Sequence, residues 1–146
     1  MGSDKATGSG QISRVLVVGA GAMGSGIAQV VAESDTDVTL TDVDAASLER
    51  GLAGIAARWD KAVATGKREA ETVAGFKGHL HSGDLSAAGD VDLVIEAIVE
   101  RLPAKSELFT ELGEVAPASA ILASNTSSIS LTALAAASGR PTQVVG

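Results

Sequence analysis

A doubly wound α/β fold with a mostly parallel sheet is the architecture this sequence predicts, and three observations predict it. Short runs rich in Val, Ile and Leu alternate with longer stretches whose apolar residues recur at helical spacing, the pattern of strand-helix repeats. The first of those runs ends in a glycine turn that opens a helix, and an acidic residue closes the next run. A chain of 146 residues with 45% hydrophobic content is one domain of ordinary size, large enough to cover both faces of such a sheet.

The elements follow in order. Residues 1–13, "MGSDKATGSGQIS", are polar and Gly/Ser-rich and are expected to form a disordered leader. "RVLVV" (Arg14 to Val18) reads as a strand buried in a parallel sheet, and "MGSGIAQVVAE" carries apolar residues at helical spacing. "DVTLTD" (Asp37 to Asp42) alternates as a strand, after which Asp44 is placed to cap a helix. Leu48, Leu52, Ile55, Trp59 and Val63 then mark a long amphipathic helix from Ala45 to about Thr65, stopped near Gly66, with Trp59 in the core. A second helical piece over 67–74 completes a helical pair inserted after the second strand. "GHLHSGDL" contains a short strand and turn, with no partner carboxylate for His79 and His81 in the local pattern, so both read as surface or edge residues. "DLVIEA" is a buried strand, Pro103 opens a helix that runs to Val115, and "AILAS" is a further strand. Ser130 caps a helix over 131–137, Gly139 ends it, and "TQVVG" is a last strand. The whole of 14–146 reads as one Rossmann-type domain.

The glycine turn carries the first chemistry. Gly19, Gly21 and Gly24 form G-x-G-x-x-G between the first strand and its helix. The first glycine permits the turn, the second lets backbone approach a pyrophosphate, and the third lets the helix pack closely on the sheet. A membrane span is the competing reading, but "GAGAMGSG" would put four glycines and a serine at its centre. Asp42, 18 positions after Gly24, stands where a carboxylate accepts the adenosine ribose hydroxyls. The same carboxylate repels a 2′-phosphate, so NAD is expected over NADP. A net charge of -7 and a pI near 4.7 argue against a nucleic-acid or anionic-membrane surface. There is no cysteine, and two histidines make no zinc site by themselves. No metal is expected, and a reducing cytoplasm is the natural compartment.

Ligands of such sheets lie off the carboxyl ends of the strands, which singles out "EAIVERLPAK" (Glu96 to Lys105) and "SNTSS" (Ser124 to Ser128). Glu100 and Lys105 read either as a solvated pair at a helix start or as site residues. "SNTSS" reads either as turn and cap chemistry or as a functional loop, and Asn125-Thr126-Ser127 also spells a glycosylation sequon.

Together "VVGAGAMGSGIAQVVA", "TLTDVD", "DLVIEAIVE", "ILASNTSSISLTALA" and "RPTQVVG" resemble the NAD-binding N-terminal domain of the L-3-hydroxyacyl-CoA dehydrogenases, which include 3-hydroxybutyryl-CoA dehydrogenases. The resemblance covers Arg14 to Gly146. It implies that Gly19, Gly21, Ala22, Met23 and Gly24 line the pyrophosphate and that Asp42 holds the adenosine ribose. Glu100 and Lys105 would contact the cofactor near its nicotinamide. Ser127 would face both the substrate oxygen and the nicotinamide as a catalytic residue, and Asn125 would help form its loop. The family binds acyl-CoA partly through the helical region after Asp42, where Arg58, Lys61 and Lys67 are the basic candidates. Arg101 stands where the family usually has Asn.

In the family the catalytic histidine, its glutamate partner and a helical domain that completes the substrate site and the homodimer follow the segment matching "VVG". The resemblance therefore implies an excised cofactor half, inactive alone, of an enzyme that oxidises L-3-hydroxyacyl-CoA to 3-oxoacyl-CoA in fatty-acid or short-chain acyl-CoA metabolism. Two other readings stand beside it: a hydroxyacyl carrier-protein dehydrogenase of the same fold, and a stand-alone NAD-binding module.

Overall fold

Residues 11–126 and 129–146 are described by a computed structural model of the chain. Six strands form one sheet in the order β3-β2-β1-β4-β5-β6, and every pairing is parallel, where the sequence predicted a mostly parallel sheet. The strands are β1 (Arg14–Val18), β2 (Asp37–Thr41), β3 (Leu80–Ser82), β4 (Leu93–Glu96), β5 (Ile121–Ser124) and β6 (Val144–Val145). The helices are α1 (Ala22–Glu33), α2 (Ala45–Ala64), α3 (Ala70–His79), α4 (Leu102–Val115) and α5 (Leu131–Ser138).

β1 sits at the centre, which explains its unbroken apolar run. Val15 and Val17 face one side of the sheet and Leu16 and Val18 the other, and all four are buried. On the first side they meet Ala28 and Ala32 of α1, Ile55 and Trp59 of α2, and Val73 and Phe76 of α3. On the second they meet Phe109 and Leu112 of α4 and Leu134 of α5. Trp59 belongs to the core, as its helical spacing predicted. Its ring packs 5.8 Å from that of Phe76, and its indole N–H donates to Glu33 at 2.8 Å.

Departures from the sequence reading are local. α3 begins at Ala70 and runs to His79, later than the predicted 67–74. The N–H groups of Lys67 and Arg68 both turn back to the Ala62 carbonyl, at 2.8 and 3.1 Å, so those residues close the end of α2. Asp44 holds the N-cap position of α2, but its carboxylate takes the Ser47 hydroxyl at 2.7 Å and caps no backbone N–H. Ser130 caps α5 through the Ala133 N–H, and Gly139 ends it in the left-handed region at φ 75°. Ser13, assigned to the leader, donates its N–H to Asp92 at 2.8 Å and so belongs with the sheet. Residues 1–10 lie outside the described residues. Among the described residues no helix is long and apolar enough to cross a membrane.

Candidate functional site

Strand register builds the site. Val18 lies level with Thr41 on one side and Glu96 on the other, and Glu96 is level with Ser124. The next residue of each strand, Gly19, Asp42, Ala97 and Asn125, therefore stands on one rim. Backbone bonds fix that alignment: Gly19 N–H to Thr41 O and Ala97 N–H to Val18 O, both 2.8 Å, and Asn125 N–H to Glu96 O, 2.9 Å. Strand order reverses at β1 and β4, and the rim between them is where an open α/β sheet usually has its crevice and takes a dinucleotide.

The three motif glycines have separable tasks. Gly19 has φ +111°, and a Cβ there would lie 2.5 Å from the Ala97 carbonyl oxygen. At Gly24 a Cβ would fall 1.6 Å from the Gly19 carbonyl oxygen, so α1 sits directly against the turn that launches it. Gly21 is the contrary case, for nothing lies within 4 Å of a Cβ built on it. Open space beside the helix N-cap is what an approaching phosphate requires. The first turn of α1 has no side-chain cap and no acidic residue, leaving its N–H groups and the positive dipole end to an anion. Ala22 and Met23 are exposed there.

Asp42 is half-buried and accepts the Ala20 N–H at 2.8 Å and the Asp44 N–H at 2.9 Å, one bond to each oxygen. Two bonds leave acceptor capacity for a hydroxyl pair. The carboxylate thus also ties the glycine turn to the loop after β2.

On the β4–β5 side the chemistry lies in side chains. Glu96 and Lys105 are both fully buried, 2.9 Å apart at Glu96 Oε2. Glu96 also accepts the Ser124 hydroxyl at 2.5 Å and the Ile98 N–H at 2.8 Å. Lys105 reaches Glu100 at 2.8 Å, and Glu100 accepts the Thr126 hydroxyl at 2.5 Å. Thr126 in turn receives the Ile129 N–H at 3.1 Å. The solvated-pair reading of Glu100 and Lys105 is therefore wrong: the lysine is enclosed and links two carboxylates. Burial alone would lower its pKa, but its hydrogen bonds to Glu100 and Glu96 outweigh that and hold it above the ordinary lysine value. Sequence reasoning missed Glu96 as a member. Its signal was a charge inside the apolar run of β4, which burial permits only with a partner.

Ser127 and Ser128 lie outside the described residues. Asn125 reaches the rim, and exposed Arg101 is the N-cap residue of α4. Arg58, Lys61 and Lys67 are exposed and are not drawn to the rim; Arg58 lies 13 residues into α2, about 20 Å along its axis. The Arg58 guanidinium donates to Gln29 on α1 at 2.6 Å. The histidines lie on the β2–β3 side of the sheet. His79 Nδ1 is 2.8 Å from Asp37 and His81 Nε2 is 3.8 Å from it, so a partner carboxylate comes from across the β2–β3 pair. Asp37 begins β2 and Thr41 ends it, which separates Asp37 from the rim by roughly 13 Å of strand, while His81 is level with Thr39 in mid-strand. No group of three or more His, Cys, Asp or Glu suited to a metal occurs among the described residues.

Residues 14–146 match the family described as 3-hydroxyacyl-CoA dehydrogenase, NAD binding domain. A probable 3-hydroxybutyryl-CoA dehydrogenase of Deinococcus radiodurans is 48% identical over 133 residues, covering 89% of this chain and 47% of that protein. The 3-hydroxyadipyl-CoA dehydrogenase of Escherichia coli K12 is 44% identical over 136 residues, covering 92% of this chain and 29% of that protein. Among solved structures, a 3-hydroxybutyryl-CoA dehydrogenase from Escherichia coli K12 gives a TM-score of 0.88 at 44% identity, over 92% of this chain and 29% of that one. The (S)-3-hydroxybutyryl-CoA dehydrogenase PaaH1 from Ralstonia eutropha gives 0.86 at 32% identity, over 92% and 48%. The chain spans about half the length, or less, of the curated relatives it matches.

Proposed function

The chain belongs to the 3-hydroxyacyl-CoA dehydrogenase family as its NAD-binding domain, and from that premise we propose that it forms the cofactor half of an enzyme oxidising L-3-hydroxyacyl-CoA to 3-oxoacyl-CoA. One observation carries the reading: the glycine turn, Asp42 and the Glu100–Lys105 pair, far apart in sequence, meet on one rim of strand ends. When bound, NAD supplies the hydride acceptor. The open N-terminus of α1 holds its pyrophosphate, with Gly21 admitting the close approach and Ala22 and Met23 beside it. Asp42 accepts the adenosine ribose hydroxyls. Glu100, fixed by Lys105, faces the other half of the crevice, with Asn125 on the same rim. Ser127 is the hydroxyl of this reading that meets the substrate oxygen. Acyl-CoA as substrate, assembly as a homodimer and a cytoplasmic location complete the proposal.

Oxidation of an alcohol needs a base for the hydroxyl proton, a contribution of about 10² to 10⁴-fold. Of the two imidazoles of the sequence, His79 sits at the amino end of the sheet beside Asp37 and His81 is level with Thr39 on β3, with its Nε2 3.8 Å from the same carboxylate. The 146-residue polypeptide is therefore expected to bind NADH without sustained turnover of 3-hydroxybutyryl-CoA. NADH fluorescence titration and NADH formation measure the two. Absence of binding, or turnover abolished by His79→Ala, overturns the reading.

A further inference from the structure

The buried Glu96–Lys105–Glu100 triad sets two carboxylates against one ammonium. Glu96 accepts from Lys105 Nζ, the Ser124 hydroxyl and the Ile98 N–H. Glu96 is therefore tied to the strand, the neighbouring strand and the helix at once, with the Lys105 ammonium as its charged partner. The Lys105 ammonium spans Glu96 Oε1 and Oε2 and Glu100 Oε1, at 3.1, 2.9 and 2.8 Å. With Glu96 and Lys105 enclosed and Glu100 35% exposed, the triad's excess negative charge is carried by its outermost member. Arg101, the cation next to Glu100, is exposed, where solvent and salt screen its charge.

A dinucleotide in this fold lies across the crevice, one mononucleotide over β1–β2 and the other over the half containing β4 and β5. Asp42 marks the adenosine side, which leaves the nicotinamide on the side of the triad. The oxidised ring carries a positive charge and the reduced ring does not. We propose that the Glu96–Lys105–Glu100 triad biases this half of the crevice toward the oxidised cofactor, with Glu100 as the charge the ring senses and Glu96 and Lys105 as the positioning residues that fix it. The inference rests on the cofactor reading above. Lys105 on this account acts through Glu100.

The test is the ratio of NAD+ to NADH affinity, a readout that loss of shape alone would not move. Wild type, Glu100→Gln, Glu96→Gln and Glu107→Gln, the last an exposed charge on the same helix, are each titrated calorimetrically with both cofactor forms. Glu100→Gln and Glu96→Gln are expected to weaken NAD+ about three- to tenfold more than NADH, the size of one screened unit charge acting over several ångströms. Glu107→Gln should leave the ratio within about twofold. If Glu96→Gln fails to fold by circular dichroism, Glu100→Gln decides alone. Equal losses for both forms, or an unchanged ratio, overturn the inference while leaving the cofactor reading intact. Wild type that binds neither form removes both.

Discussion

On the β1–β2 side of the crevice the rim is almost wholly backbone: the turn at Gly19, the open N–H groups of α1, and one carboxylate, Asp42, bonded to two main-chain amides. On the β4–β5 side it is a chain of side chains, from Ser124 through Glu96, Lys105 and Glu100 to Thr126. Backbone geometry depends on residue spacing and on the places where a Cβ is forbidden, so the first half tolerates much variation around its glycines. The second half depends on mutual satisfaction of buried charges, in which loss of one member strands the others.

The largest expected effect breaks the second half. Lys105→Met leaves buried Glu96 facing Glu100 without the ammonium between them, and should lower stability in chemical denaturation by about 3–5 kcal/mol. It should also change the alkaline limb. The lysine pKa is raised on folding, so its contribution is complete below the unfolded value near pH 10.4 and is lost as pH rises through the higher folded value. Wild type should lose stability over that window, and Lys105→Met should not. A variant as stable as wild type would mean that the network adds nothing beyond its own desolvation.

A smaller effect sharpens the first half. Asp42→Ala removes the group that accepts ribose hydroxyls and repels a 2′-phosphate. NAD should bind wild type at least about tenfold better than NADP, a gap of roughly 1.4 kcal/mol, and the substitution should narrow it. Equal affinities in wild type, measured by calorimetry, would withdraw the ribose role from Asp42.

The smallest effect lies away from both halves, at the amino end of the sheet. The hydrogen bond from His79 holds the Asp37 carboxyl below its usual range. Stability from that group is present above the unfolded carboxylate value and is lost as pH falls through the folded one, below about pH 4. Both partners are substantially exposed, so solvent screening limits the effect to less than about 1 kcal/mol. Asp37→Asn should flatten only the acid limb of the stability profile. A change equal to that of Lys105→Met would erase the contrast between buried and solvated charge.

The same contrast explains what could be read in the sequence. Gly19, Gly21, Gly24 and Asp42 are defined by short-range spacing, and the helices and strands around them by periodicity, so their places were legible. Glu96 and Ser124 are 28 positions apart and meet only because β4 and β5 pair in register, information no local pattern contains. The Asp37 contacts of His79 and His81 were hidden for the same reason, since they join β2 to the end of α3 and to β3. Lys105 misled because an Arg-Leu-Pro-Ala-Lys helix start is ordinarily solvated; its enclosure depends on which face of α4 meets the sheet.

The central place of β1 has a consequence for how the crevice comes into being. Val15 pairs with Val38, 23 positions on, and with Leu93, 78 positions on. Closing the longer loop costs about 1 kcal/mol more in chain entropy than closing the shorter, and non-local pairings of this kind slow folding. The seam between the two halves is therefore the strand pairing that closes the longest loop of the sheet. A dinucleotide lying across it binds only the state in which the seam is closed, and by mass action draws the chain toward that state. The cofactor is in this sense the clasp of its own binding domain.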